Sequence, residues 1–282
     1  MAAASPASQR HPLSLGARLR AYWRLIKSLQ TGLLLITGMA GLLSVCCPVL
    51  GWRTLVGLLL TLFCAISGST VLNMVYDRDI DARMARTASR PLPSGTIGVR
   101  QALLIGLALS LVGVGGALLL DPLYGLVVFA GMFFDVVVYT MWLKRRTPWS
   151  IVWGGIAGGM PVLAGRTLGT GQIDAVGLLL ALAVVLWIPT HIMTFGIKYA
   201  VDYRRAGVPT FATTYGEQTT RLIISASTVL AVSVMALAVW KIELHIRCLY
   251  AHISLGAILV LFALISLLFP SPKLNFGLFK LA

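Results

Sequence analysis

An amide and two carboxylates recur at four-residue intervals near the end of a strongly apolar run. Asn73, Asp77 and Asp81 would lie on one face of a helix, because positions i, i+4 and i+8 stack one above another. Like charges one turn apart repel, so such a face is stable only when something cationic binds to it. Mg²⁺ in proteins commonly takes one or two carboxylates together with substrate phosphate oxygens. These residues therefore predict a magnesium and diphosphate site at a membrane surface.

Basic side chains follow the acidic face closely along the chain. Pro91, Pro93 and Gly95 end the helix and turn the chain back on itself. This return would bring arginines such as Arg78 and Arg90 toward the carboxylates. A planar guanidinium group suits a diphosphate because it can bind two oxygens at once. The same arginines could instead pair with the acids or with lipid phosphates, and the residues alone leave both interpretations open.

Further polar groups lie in or beside other apolar runs. Lys144 and Arg145 follow the fourth run, where a cationic cluster either anchors the topology or clamps a diphosphate. His191 and Asp135 lie inside apolar runs, and an ionisable residue there is a functional hypothesis by default. His191 could face a substrate, ligate a metal or hydrogen-bond across helices. Asp135 must face the interior of the protein, but the sequence does not identify its partner.

The elements that must position these groups are long apolar helices. The chain has 282 residues, of which 58% are hydrophobic and 11% charged, whereas soluble domains carry roughly 25% charged residues. Runs of about 20 apolar residues recur, which is the length that crosses a bilayer core as a helix. The eight candidate spans are 31–49, 54–76, 101–120, 123–142, 150–168, 175–197, 222–241 and 249–269. The prediction is an all-α, polytopic membrane bundle, with residues 31–282 forming one transmembrane domain.

The chain has a net charge of +14, and its distribution along the sequence is typical of a membrane protein rather than of a nucleic-acid-binding surface. With the N-terminus on the inner side, nineteen of the 23 lysines and arginines fall on that side. The remaining four are Arg53, Arg166, Lys241 and Arg247. This asymmetry matches the positive-inside rule, so we expect a lipid bilayer and no nucleic acid as partner. The sequence favours a prokaryotic cell membrane, with the mitochondrial inner membrane as the alternative.

Residues 1–30 form a basic N-terminal arm without acidic side chains. A short amphipathic segment lying on the cytoplasmic or matrix face explains this composition, and an organellar transit segment would look similar. Two polar stretches, 77–100 and 198–221, follow even-numbered spans and therefore lie on the same side as this arm. The second stretch contains Asp202 and is a weak echo of the first. We expect the chemistry on the cytoplasmic or matrix side.

Three stretches, Asn73–Gly95, Tyr139–Gly165 and Trp187–Pro209, resemble the UbiA superfamily of intramembrane prenyltransferases. The first motif of that superfamily has an Asn and two Asp spaced by three residues, and the likeness spans nearly the whole chain. The branch most similar to this chain acts on heme. The resemblance implies a bundle of nine helices around a central cavity, with the ninth span expected at or beyond the C-terminus. It also implies Mg²⁺-dependent transfer of a farnesyl group from farnesyl diphosphate to a vinyl group of heme B.

The resemblance also implies roles for individual residues. Asn73, Asp77 and Asp81 would hold Mg²⁺, and Asp202 would be the acid of a second motif. The residues expected to meet the diphosphate are Arg78, Arg90, Lys144, Arg145 and Lys198. Tyr139 and His191 are expected beside the acceptor cavity. Lys198 occupies a position where the wider superfamily has another acid.

Other functions stay open on the sequence. The acceptor could be an aromatic quinone precursor or a lipid instead of heme. A transporter would account for Asp135 and His191, but it leaves the acidic and basic loops unexplained. A structural assembly subunit would need no acidic face at all. The heme interpretation also implies a downstream heme-modifying membrane enzyme as a partner.

Overall fold

The computed structural model describes residues 14–45, 51–242 and 246–281, and most of these are helical. The α-helices are α1 (Leu15–Leu25), α2 (Ser28–Leu43), α3 (Trp52–Tyr76), α4 (Arg78–Arg83), α5 (Val99–Leu120), α6 (Pro122–Phe133), α7 (Ser150–Thr170), α8 (Ala175–Lys198), α9 (Ala200–Ala206), α10 (Phe211–Thr214), α11 (Glu217–Lys241), α12 (Ile246–Leu268) and α13 (Pro272–Leu281). A π-helix, Phe134–Leu143, continues α6. The predicted all-α bundle is confirmed.

Six described helices are long and apolar enough to cross a membrane, and the bent pair α1 and α2 makes up to seven. The six are Trp52–Tyr76, Val99–Leu120, Pro122–Leu143, Ala175–Lys198, Glu217–Lys241 and Leu249–Leu268. Helix α7 lies where another span was predicted and has 21 residues. Its many glycines, Pro161 and Arg166 make it less apolar than the others. It contacts α2, α6 and α8, so it lies in the interior of the bundle.

Helices α2 and α7 approach each other closely because glycines face each other at their crossing. A Cβ atom added to Gly165 would lie 1.9 Å from the carbonyl oxygen of Gly38, and one added to Gly41 would lie 2.0 Å from that of Val162. Small residues are the usual means by which membrane helices bring their backbones together. Glycine at these positions therefore sets the spacing between α2 and α7.

The two polar stretches meet at one end of the bundle. Each begins with a short helix, α4 in the first and α9 in the second, and these two helices pack together. Ile80 and Met84 from the first stretch form a buried cluster with Ala206 and Val208 from the second. The expectation that both stretches lie on the same side of the membrane is consistent with this contact.

The opposite end is closed by an ion pair. Arg166 of α7 donates to both carboxylate oxygens of Asp174 at 2.7–3.0 Å and to the backbone carbonyl of Ser44 at 2.7 Å. Hydrogen bonds from Arg166 hold the pKa of Asp174 below its usual value, although partial burial opposes this shift. This cluster joins the ends of α2 and α7 to the start of α8 and is far along the helices from the acidic motif.

The last described helix, α13, packs against α8. The side-chain amide of Asn275 donates to the backbone carbonyl of Thr194 at 2.8 Å, and Leu278 is buried. This segment lies where the sequence analysis expects a ninth span, which stays a prediction.

Candidate active site

The predicted acidic face is present as a helical register that continues across a junction. Helix α3 ends at Tyr76, and Asp77 caps it before α4 begins. The amide nitrogen of Asp77 donates to the carbonyl of Asn73 at 2.9 Å, and that of Asp81 donates to the carbonyl of Asp77 at 2.8 Å. These bonds keep the three residues one turn apart, as their spacing predicts. The side chains of Asp77 and Asp81 are buried.

Arg90 returns to the acidic face as the proline-rich turn suggests. Its Nη1 donates to both oxygens of Asp81, at 2.9 and 2.7 Å. The hydroxyl of the buried Thr87 donates to the backbone carbonyl of Asp81 at 2.8 Å and fixes the start of this loop. Leu92 and Ile97 then anchor its far end in an apolar cluster with α1, α3 and α5. The loop is thus folded onto the helices, which holds Arg90 close to the acid.

Two further cations reach the acids from the loop after the π-helix. Lys144 Nζ donates to the buried carboxylate of Asp77. Arg145 donates to both oxygens of Asp79, at 2.9 and 2.7 Å, and to the backbone carbonyl of Tyr76. Hydrogen bonds from Arg145 lower the pKa of Asp79. Burial of Lys144 by itself would lower the pKa of this lysine, but its neighbours, Asp77 among them, outweigh that effect and raise the pKa of Lys144. Asp79, Lys144 and Arg145 are therefore ionised at neutral pH.

The π-helix explains how Lys144 reaches this face. Bonds from residue i to i+5 give about 4.4 residues per turn, against 3.6 in an α-helix. The bond from Lys144 N to Tyr139 O, at 2.8 Å, extends this pattern past Leu143. The nine steps from Asp135 to Lys144 thus make about two full turns, whereas in an α-helix they would make about two and a half. The wider winding places Asp135, Tyr139 and Lys144 on one face.

Asp135 is tied to the acidic motif, which the sequence alone did not reveal. Its Oδ2 accepts from the side-chain amide of Asn73 at 2.7 Å and from the hydroxyl of Ser69. These three residues come from two spans that are more than 60 positions apart in the chain. The contact joins an intramembrane carboxylate directly to the first residue of the predicted metal motif.

Two oxygen atoms of this motif have no hydrogen-bond partner among the described residues, and such oxygens suit a hard cation. Asn73 Oδ1 and Asp77 Oδ1 are both buried without a hydrogen-bond partner among the described residues. Buried polar atoms rarely stay unpaired, and oxygen is the ligand atom that Mg²⁺ prefers. In the described part of the chain, no three His, Cys, Asp or Glu side chains form a ready metal cluster. The unpaired oxygens of Asn73 and Asp77 are suited to bind such an ion, whereas both carboxylate oxygens of Asp81 accept hydrogen bonds from Arg90.

Three other predicted residues are not drawn into this cluster. Arg78 is exposed, and it makes no ion pair with a described residue. Lys198 lies with its Nζ 3.6 Å from the ring centre of Phe276 on α13, rather than on an acid. Asp202 is half-buried on α9, without an ion pair in the described part of the structure, although α9 packs on α4 and so lies at the same end of the bundle. The site roles of these residues stay predictions.

The two residues expected near the acceptor lie in different surroundings. The ring of Tyr139 is 5.5 Å from Lys144 Nζ, directly beside the acidic face. His191 is stacked between Trp187, at 5.4 Å, and Phe279, at 4.5 Å between ring centres. Its Nδ1 is buried without a partner among the described residues. His191 is therefore part of an aromatic wall, with one nitrogen left for a further contact.

Lys27 lies near the acidic cluster, although it belongs to none of the sequence motifs described above. It lies between α1 and α2 and is the only non-glycine residue of the described chain with positive φ, at 46°. A left-handed conformation is costly for a lysine, and such strain often marks a functional site. The ammonium group interacts electrostatically with Arg90, Lys144, Asp135 and Asp81. A basic residue at the end of the arm thus completes the charged cluster.

A helical membrane protein with acidic and basic side chains gathered at one end of the bundle is suited to bind a charged group at the bilayer boundary. The model of the UbiA prenyltransferase family matches residues 34–278. The chain belongs to this family, and it is therefore a prenyltransferase. The family membership confirms the resemblance seen in the motifs of the sequence.

Individual relatives and one solved structure extend this finding. The chain is 49% identical, over 60% of its own length and 61% of the relative's, to a protoheme IX farnesyltransferase of Pyrobaculum arsenaticum. It is 38% identical, over 90% of its length and 85% of the relative's, to the protein of that name from Symbiobacterium thermophilum. A UbiA homolog from Archaeoglobus fulgidus, solved with GPP and Mg²⁺, shares the fold with a TM-score of 0.71 at 17% identity, over 92% of this chain and 94% of that one.

Proposed function

We propose that this protein transfers the farnesyl group of farnesyl diphosphate to a vinyl group of heme B. The convergence of Lys144, Arg145 and Arg90 on the carboxylates of α3 and α4 supports a diphosphate site. Relatives that span most of the chain carry the name protoheme IX farnesyltransferase, which supports farnesyl as donor group and protoheme as acceptor. The flat aromatic wall around His191 suits a flat macrocycle.

The balance of charge supports Mg²⁺ as a cofactor. Asp77, Asp79 and Asp81 are each paired with a cation. Within these three pairs the charges cancel, and a diphosphate entering the cluster would add several negative charges that the pairs do not offset. Close like charges in a region of low dielectric repel strongly, so a divalent cation must accompany the substrate.

Asn73 and Asp77 would hold the ion through their unpaired oxygens, and Asp81 would join them once Arg90 moves to the diphosphate. When bound, Mg²⁺ supplies positive charge that stabilises the leaving group. Relatives of the same fold solved with Mg²⁺ and with GPP or DMAPP support this assignment.

The cations of the chain would exchange one anionic partner for another as the substrate binds. Lys144 and Arg90 would exchange Asp77 and Asp81 for diphosphate oxygens, and the freed carboxylates would be able to hold the ion. Arg145 suits a diphosphate because its planar guanidinium group already binds two oxygens at once. This exchange keeps every buried charge paired before and after binding, which limits its cost in free energy.

Fixed positive charge then favours breaking of the allylic C–O bond, since the diphosphate leaves with the electron pair. The vinyl group of heme B donates its π electrons to the allylic carbon and forms the new C–C bond. Water adds to the resulting cation beside the porphyrin and loses a proton, which gives the hydroxyethylfarnesyl group. The apolar helices of the bundle limit access of bulk water, which would otherwise hydrolyse the farnesyl cation first.

The orientation and the host membrane follow from the distribution of charge. The loops that carry the acidic motif and Lys144 belong to the side with nineteen of the 23 basic residues. By the positive-inside rule, the site opens on the cytoplasmic side of a prokaryotic cell membrane, or on the matrix side of a mitochondrial inner membrane. A downstream membrane enzyme that modifies heme would take up the product.

A product assay tests the reaction directly. Membranes containing the chain receive heme B, farnesyl diphosphate and Mg²⁺, and the extracted hemes are analysed by mass spectrometry. We expect a farnesylated hydroxyethyl heme with the wild type and none with Asp77→Asn. If correctly folded wild-type protein gives no such product, heme is not the acceptor, and aromatic quinone precursors and lipids become the acceptors to assay.

A further inference from the structure

The intramembrane carboxylate of Asp135 has no role in the motifs of the acidic loops. Asp135 is the second residue of the π-helix, and its Oδ2 accepts hydrogen bonds from Asn73 Nδ2, at 2.7 Å, and from the hydroxyl of Ser69. A carboxylate inside a membrane span is costly and is rarely retained without a function. Its two partners both belong to α3, and one of them is the first residue of the proposed metal motif.

The orientation of the Asn73 amide is what this contact decides. An asparagine amide carries an oxygen that accepts hydrogen bonds at one corner and a nitrogen that only donates at the other, and the two can exchange by a flip. Asn73 Nδ2 donates to Asp135 Oδ2 at 2.7 Å, so the nitrogen faces the carboxyl group and Oδ1 lies on the opposite corner. That oxygen is the buried atom without a partner.

We infer that Asp135 is a positioning residue that locks the Asn73 amide with its oxygen toward the divalent cation. Without this carboxylate, Asn73 could present its NH₂ group, which carries no lone pair for a metal. Mg²⁺ demands correctly placed oxygen ligands, so one flipped amide would cost a ligand. The inference rests on the proposed magnesium site, and it assigns Asp135 to the support of that site rather than to the metal itself.

A second hydrogen bond reaches the same oxygen of Asp135. Ser69 donates to Oδ2 from one helical turn before Asn73. The winding of the π-helix places Asp135 on the face that also carries Lys144. Outer partners of this kind often matter almost as much as the ligands, and their loss typically weakens metal binding about 10- to 100-fold.

The test measures metal affinity and does not depend on turnover. Purified full-length protein in detergent is titrated with Mn²⁺, as a spectroscopic substitute for Mg²⁺, and binding is followed by electron paramagnetic resonance. We expect Asp135→Ala and Asp135→Asn to weaken Mn²⁺ binding about 10- to 100-fold. Ser69→Ala, which removes the other donor to Asp135 and leaves the bond to Asn73, should weaken Mn²⁺ binding by less than either Asp135 variant.

A rescue variant separates orientation from a general structural effect. Adding Asn73→Asp to the Asp135→Asn variant places a carboxylate at position 73, which offers an oxygen in either orientation. The amide at position 135 can then donate to one of these oxygens while the other meets the metal. We expect the double variant to recover most of the lost affinity relative to Asp135→Asn alone.

Two results would overturn the inference. One is wild-type Mn²⁺ affinity in folded Asp135→Ala. The other is a double variant that binds as weakly as Asp135→Asn, because Asp135 would then act as a ligand itself or only through the packing. Heme product from the wild type tests the proposed reaction separately. Absence of that product with the expected metal pattern would reject the heme reaction and keep the role of Asp135.

Discussion

A single guanidinium nitrogen of Arg90 bonds both carboxylate oxygens of Asp81, at 2.9 and 2.7 Å, and Asp81 is only 5% exposed. Arg90 follows Asp81 by nine positions, and the loop that carries Arg90 is held by Thr87 at one end and by an apolar cluster with Leu92 and Ile97 at the other. The pair of Arg90 and Asp81 therefore closes the loop. The same bonds occupy an acid that the proposed metal site needs, so binding of substrate requires this pair to open.

Replacing Arg90 by glutamine should both destabilise the loop and weaken binding of prenyl diphosphate. Removal of one partner of a buried ion pair typically costs about 3–5 kcal/mol, and the partial exposure of Arg90 reduces this to roughly 1–3 kcal/mol. Thermal unfolding in detergent measures the first effect, and the KM for prenyl diphosphate measures the second. The double variant Arg90→Gln/Asp81→Asn should recover stability without recovering the KM. Equal KM values in wild type and Arg90→Gln would contradict the diphosphate role.

Asp77→Asn should abolish Mg²⁺-dependent turnover, with a loss of at least about 100-fold in kcat, because it weakens both the metal site and the partner of Lys144. The matched control is Asp79→Asn, since Asp79 is the neighbouring acid but its side chain is 44% exposed and lies outside the metal set. We expect Asp79→Asn to keep measurable turnover. Both variants should insert into membranes normally. Turnover at the wild-type rate in Asp77→Asn would disprove the metal assignment.

Lys144→Ala should raise the KM for prenyl diphosphate more than the KM for the acceptor. Lys144 bonds the buried Asp77, whereas Arg146, two positions later in the same loop, is exposed. Arg146→Ala therefore serves as a matched control for loss of a positive charge in this loop. Steady-state kinetics with each substrate varied in turn measure the difference. If Lys144→Ala and Arg146→Ala behave alike, the loop is only a topology anchor.

Gly165→Ala should destabilise the crossing of α2 and α7. The added Cβ would lie 1.9 Å from the carbonyl oxygen of Gly38, which is backbone and cannot move aside. Overpacking of this kind typically costs about 1–3 kcal/mol. Gly115→Ala is the control, because a Cβ at that helical position meets nothing within 4 Å. Thermal unfolding of the two variants in the same detergent should separate them, and equal midpoints would show that the crossing adjusts freely.

The contribution of Asp174 to stability should disappear at acidic pH. Hydrogen bonds from Arg166 lower the pKa of Asp174 in the folded protein. A lowered folded pKa stabilises the protein above the unfolded pKa of about 3.9, and this stabilisation is lost as pH falls through the folded value. Asp174→Asn should therefore lower the unfolding temperature at pH 7, and the difference from wild type should shrink toward pH 3. A difference that is constant with pH would show that the charge of the Asp174 carboxylate does not contribute to stability.

The sequence determined the elements of this protein and the register of its acidic motif. Long apolar runs specify membrane helices because a backbone in lipid must satisfy its own hydrogen bonds. The interval of four residues between Asn73, Asp77 and Asp81 specifies one helical face, since that relation is local and depends only on the pitch of a helix. The turn at Pro91 and Gly95 likewise predicted that Arg90 lies close to the acidic face.

Only the tertiary structure decided which groups meet across the bundle. Asp135 and Asn73 lie 62 positions apart, and their contact depends on how two spans pack and on the π-helical winding of one of them. No pattern in the sequence indicates that winding, because the same residues would form an ordinary α-helix with Lys144 turned away. Lys198 is the opposite example. Its position in the sequence predicts a contact with the diphosphate, but its side chain lies against the ring of Phe276. Periodicity fixes a face within one helix, whereas partners across helices depend on crossing geometry and side-chain direction, which are set by the packing of the whole bundle.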